Sequence, residues 1–91
     1  MNNRLLPIGS VVKIKKLDNP LLVIIGYLVG DGEKVYDYVG FPYPEGIATM
    51  KNQVLFNSSV IEEVVHEGYR FKNFSKVEER IEITKKEIEN E

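Results

Sequence analysis

Polar and apolar positions follow two regimes along this chain. In the first half they alternate. Ser10-Val11-Val12-Lys13-Ile14-Lys15-Lys16 sets Val12 and Ile14 on one side and Val11, Lys13 and Lys15 on the other, the pattern of a strand with one buried face. Asp18-Asn19-Pro20 then has turn chemistry. Leu21 to Val29 reads as a central strand, apolar on both faces at its start, and Gly26 inside it predicts a bulge or bend. Gly30-Asp31-Gly32-Glu33 reads as a hairpin loop. Val35 to Phe41 alternates again, with Val35, Asp37, Val39 and Phe41 on one face and Tyr36 and Tyr38 on the other. Phe41-Pro42-Tyr43-Pro44-Glu45-Gly46 breaks the pattern, because proline donates nothing to a ladder, and Pro44-Glu45-Gly46 predicts a tight turn. Gln53 to Phe56 is a short fourth strand.

The second half has helical spacing. Val60, Ile61, Val64 and Val65 share a helical face, Asn57 is placed as an N-cap with a staple between Phe56 and Ile61, and Gly68 is placed as a terminator. This predicts a helix over about 58–67. Phe74, Val77, Ile81, Thr84 and Ile88 recur at 3-4-3-4 spacing, and Ser75 with Glu78 forms a capping-box pattern. A second helix is therefore expected over about 75–90. It holds only about two heptads and needs a surface to lie on. That surface is its own barrel, a second copy or a partner, and Val77, Ile81 and Ile88 are the candidate contacts.

The expected fold is α+β: a strongly bent antiparallel sheet of four or five strands over about 6–56, approaching a small SH3-like barrel, followed by two helices. Ninety-one residues hold one domain spanning 1–91. Hydrophobic residues make up 43% and charged residues 29%, ordinary for a soluble globular chain. No apolar run is long enough for a bilayer span or a secretory signal, so the expected location is the cytoplasm and no membrane contact is expected.

Twelve basic and fourteen acidic side chains give a net charge of −2, which argues against a nucleic-acid partner. The charge is uneven. Residues 1–44 hold five basic and four acidic side chains, and residues 45–91 hold seven and ten. With no cysteine, a disulfide scaffold, a thiolate site and a cysteine nucleophile are excluded.

No residue set calls for a catalytic centre, a metal or a cofactor. His66 is the single histidine and reads as a cation near a helix end rather than a base or ligand. Asp31, Glu33 and Asp37 lack the spacing of a calcium loop and read as turn and edge charges. Gly30-Asp31-Gly32 lacks the Lys-Ser/Thr pair and the helix that complete a phosphate loop, and Ser58-Ser59 has no companion base.

Tyr36, Tyr38, Phe41 and Tyr43 fall within eight positions, interleaved with Pro42 and Pro44. Two readings stand. Phe41 is core and the tyrosines cover an edge with wet hydroxyls, or the strip, with Tyr43, Pro44 and Glu45 at its end, binds a protein. Stacking of nucleotide bases on Tyr36 and Tyr38 is the alternative from another class.

A resemblance is carried by Leu6-Pro7-Ile8-Gly9-Ser10-Val11-Val12, Ile24-Ile25-Gly26-Tyr27, Tyr36-Asp37-Tyr38-Val39-Gly40, Pro42-Tyr43-Pro44-Glu45-Gly46, Leu55-Phe56-Asn57 with Ile61, and Gly68-Tyr69. Together these residues, over roughly 5–70, resemble a small domain family of unknown function. That family occurs mainly in Gram-positive bacteria, often encoded beside type VII secretion genes and LXG-type toxins. The resemblance implies a cytoplasmic, non-catalytic accessory to toxin export, a chaperone or targeting factor. The partner would be the helical domain of a neighbouring toxin, or a second copy bound through the C-terminal helix. A toxin-neutralising immunity protein is a further alternative.

Overall fold

The computed structural model describes residues 4–15, 21–47 and 49–89. Five strands, β1 (Val11–Ile14), β2 (Leu21–Gly30), β3 (Val35–Pro42), β4 (Val54–Phe56) and β5 (Ile61–His66), form one antiparallel sheet in the order β4-β3-β2-β1-β5. One helix, α1 (Phe74–Glu89), follows. The α+β class is as expected. The barrel is not: among the described residues the ladder ends at β4 on one side and β5 on the other, and the sheet does not close. The turn read at Asp18-Asn19-Pro20 lies outside the described residues.

The hairpin of β2 and β3 is the longest ladder. Its loop is closed by Asp31, whose Oδ1 accepts from the main-chain N–H groups of Glu33 and Lys34, each at 2.9 Å. The expected bulge is present: Ile24 lies opposite Gly40 and Gly26 opposite Val39, so Ile25 is the extra residue. Cross-strand partners share a face, which assigns the core. One face gathers Val12, Ile14, Leu22, Ile24, Tyr38, Phe56 and Ile61. On the opposite face Val11, Val23 and Phe41 stand in register, and Val11 and Phe41 are buried as well. Burial on both sides explains the apolar run from Leu21 to Ile24, whereas Ile25, the extra residue of the bulge, is exposed.

The segment read as a helix over 58–67 is instead a single 3₁₀ turn, Ser58–Val60, followed by β5. Val60, Ile61, Val64 and Val65 are four apolar positions at helical spacing, and tertiary context overrides that local signal. Three circumstances decide for the strand here. The edge of β1 needs partners for its main-chain groups, and β5 supplies them. Ile61 reaches the core opposite Ile14. Asn57 makes no side-chain cap; its Oδ1 accepts from the Asp37 N–H instead. As a result Val64 and Val65 stay exposed, and His66 sits on an edge strand rather than at a helix end.

Gly68 does not terminate a helix either. Its N–H donates to Ser10 Oγ at 2.9 Å, and that hydroxyl donates in turn to the Pro7 carbonyl at 2.7 Å. Ser10 is fully buried. A Cβ on Gly68 would stand 2.4 Å from the Ile8 carbonyl oxygen and 2.9 Å from the Ser10 nitrogen, so only glycine fits this crossing.

The second expected helix is real and begins at Phe74, one residue before Ser75. The capping box does not form as read, because Glu78 turns to Arg4 at 3.4 Å and Arg70 at 3.6 Å. No described helix is long and apolar enough to cross a membrane.

A candidate docking groove between the sheet and the terminal helix

The groove is built from four stretches of chain. The N-terminal segment is fixed first. Tyr27 on β2 donates its hydroxyl to the Leu6 carbonyl at 2.6 Å, and Tyr38 on β3 accepts from the Leu6 N–H at 3.1 Å. Two neighbouring tyrosines, their rings 6.0 Å apart, thus satisfy both main-chain groups of one residue and set Leu5 beside the sheet. Burial, and then the proximity of Tyr38, push the Tyr27 hydroxyl up to about 12. Burial also raises Tyr38.

Leu28 follows on β2 with its main chain in the left-handed region at φ 52°. A bulky side chain there costs about 1–2 kcal/mol, which the surrounding ladder must offset. Its side chain lines the groove.

Asp37 is the hub. Its Oδ1 accepts from Lys85 Nζ of α1 at 2.8 Å, its Oδ2 accepts from the Ser58 N–H at 2.9 Å, and its own N–H donates to Asn57 Oδ1 at 3.0 Å. Burial raises the carboxyl, but the Lys85 and Ser58 bonds outweigh it and hold Asp37 below the usual carboxylate range. Lys85 is raised in return, chiefly by its bond to Asp37. One carboxylate therefore ties β3, the turn before β5 and α1 together.

The helix supplies the remaining wall. Phe74 is buried, with the Arg70 guanidinium 4.7 Å above its ring and Phe71 edge-on at 5.9 Å. Val77, Ile81 and Ile88 are half-buried. Between this stripe and the sheet lies a groove of about 600 Å³ lined by Leu5, Leu28, Asp37, Tyr38, Ile81 and Lys85, among others. An adjoining space of about 380 Å³ reaches Val35 and Ile88.

The candidate contact residues divide accordingly. Tyr38, Ile81 and Ile88 come to the groove and its extension. Tyr38 nevertheless has its ring in the core, stacked on Phe56 at 5.5 Å, so it and Tyr36 form no exposed stacking platform. Tyr36 is half-buried near the hairpin and donates to Asp31 Oδ2 at 3.3 Å. Val77 lies toward the buried start of α1. Tyr43, Pro44 and Glu45 form an exposed turn at the far end of β3, closed by the Gly46 N–H on the Pro42 carbonyl at 2.7 Å, with a cis Tyr43–Pro44 bond. They do not line the groove.

Asp31 and Asp37 serve the hairpin and the hub, and among the described residues no group of three acidic or histidine side chains gathers as a metal site would require. Sequence reading missed Tyr27, Leu28, Asn57 and Lys85 as members of the site. The available signal was Asp37, a charge at an alternating position shared with Val39 and Phe41.

The architecture defines a small α+β domain with a helix seated loosely over a partly apolar groove. Residues 5–77 match the domain of unknown function DUF4176, and the chain belongs to that family. No curated protein and no solved structure matches the chain.

Proposed function

We propose that this protein is a non-catalytic protein-binding accessory, a cytoplasmic chaperone or targeting factor for a toxin exported by type VII secretion. The observation that supports binding is the apolar surface left open in so small a domain. Ile8, Val64, Val65, Tyr69 and Phe71 are all large and exposed, Tyr69 to 84%. Membership of a family of unknown function is compatible with this role. The secretion and toxin context rests on the resemblance carried by the sequence motifs. The test is co-expression with the helical domain of the toxin encoded beside this protein, followed by size exclusion. Co-elution is expected. Separate elution of both proteins at micromolar concentration contradicts the proposal.

A further inference from the structure

We infer that the sheet surface beneath α1 is a helix-docking site, that α1 occupies it in cis, and that a partner helix repeating the same spacing replaces it. The inference deepens the proposed protein-binding role and rests on it only for the identity of a natural partner.

The seated helix itself defines the occupant. Ile81, Glu82, Lys85, Lys86, Ile88 and Glu89 of its distal half line the groove and its extension, and the receiving side complements three of them, Ile81, Lys85 and Ile88. These three place aliphatic side chains seven positions apart on one helical face, with an ammonium between them. On the receiving side Leu28 and Leu5 offer apolar surface, and the Asp37 carboxylate sits where the ammonium arrives, 2.8 Å away. Charge and shape therefore ask for an amphipathic helix with an aliphatic residue, a lysine four positions on and a second aliphatic residue three further. Asp37 is already organised for this by Ser58 and Asn57, so the acceptor does not depend on the helix for its position.

The hold on α1 is uneven. Its first turns are anchored by buried Phe74 and by the pairing of Glu78 with Arg4 and Arg70. The distal half has no buried residue, and the space of about 600 Å³ beneath it is unfilled by side chains. The family match ends at residue 77. Leu5, Leu28, Asp37, Tyr38 and Ser58 thus belong to the family domain, and Ile81, Lys85 and Ile88 lie past it. A receiving surface within the domain and an occupant beyond it are separable parts.

The sheet edges offer no comparable site. β5 carries two register shifts against β1 and exposes Glu62 and Glu63, both of which oppose strand addition, and β4 has three residues.

The probe is a fluorescently labelled peptide of residues 74–89, titrated against the full chain with anisotropy as readout. In the wild-type chain the site is filled in cis and binding in trans is weak. In an Ile81→Asp/Ile88→Asp chain, with its own helix unseated and the receiving surface unchanged, the peptide binds at least about tenfold tighter. Adding Asp37→Lys to that chain weakens binding about tenfold, and a Lys85→Asp peptide restores it. Equal affinity for wild-type and variant chains, or affinity indifferent to Asp37, overturns the inference. Should the double variant fail to fold, Lys85→Met replaces it in the same comparison. Peptide binding without toxin co-elution keeps the docking site and removes the proposed function. Toxin co-elution without peptide binding does the reverse.

Discussion

Lys85 Nζ and Asp37 Oδ1 meet at 2.8 Å across 48 positions of sequence, and this pair fixes the terminal helix to the third strand. The lysine side chain is half exposed, so solvent screening reduces the value of the pair to at most about 1 kcal/mol. The Ser58 N–H and the largely buried carboxylate add to what its loss would cost.

Asp37→Asn is expected to lower stability by about 1–2 kcal/mol at neutral pH, read by urea unfolding. The folded-state pKa of Asp37 is depressed, so its contribution is complete above the unfolded value near 4 and disappears as pH falls through the lower folded value. Lys85 is raised, so its share persists below the unfolded value near 10.5 and is lost as pH rises beyond it. The difference between wild type and Asp37→Asn is therefore flat between about pH 5 and 10 and shrinks toward pH 2. A difference that grows on acidification contradicts this assignment.

Tyr27→Phe removes a 2.6 Å bond to the Leu6 carbonyl and should cost about 1 kcal/mol. With its hydroxyl held to about 12, Tyr27 is the last tyrosine expected to ionise. Because the folded value is raised, this stabilisation is complete below pH 10 and fades as pH climbs through 12. The ultraviolet tyrosinate titration should lose its most alkaline step in Tyr27→Phe. An unchanged profile would place that step on another tyrosine.

Gly68→Ala drives a Cβ against the main chain of Ile8 and Ser10 and should destabilise by about 3 kcal/mol. Ser10→Ala leaves the buried Gly68 N–H without its acceptor and should cost about 1–3 kcal/mol. Thermal unfolding of both variants measures this. A Gly68→Ala protein as stable as wild type would mean the crossing has more room than its geometry shows.

Much of the sheet was legible from alternation and punctuation. The Asp31 loop, the bulge beside Gly26 and the long β2–β3 hairpin all follow from local signals. The terminal helix was legible from its stripe. The 58–67 segment was not, because its helical spacing was overridden by distant partners: β1 beside it, and Ser10 pinning Gly68. For the same reason the site was legible only in part. Ile81 and Ile88 announce themselves by spacing, whereas the Asp37–Lys85 bond and the left-handed Leu28 are products of tertiary structure. Tyr38 shows the converse failure. Its place in an aromatic strip pointed outward, yet its ring completes the core and its hydroxyl is spent on Leu6.

Phe74→Ala should cost about 3 kcal/mol and free the start of α1, since Phe74 is the one buried residue of the helix. Hydrogen exchange should then accelerate throughout 74–89 while β2 keeps its relative protection. Loss of protection confined to the first turn would show that the distal half seats independently.

Asp37 and Lys85 hold α1 to the sheet, and a charge swap followed by hydrogen exchange tests this most directly. A detached helix of 16 residues is marginal in water, so release appears as fast exchange at the amides of 81–89. Asp37→Lys and Lys85→Asp are each expected to accelerate exchange there, and the two together to restore protection close to wild type. Protection that ignores both single changes would contradict the docked helix and the site it occupies.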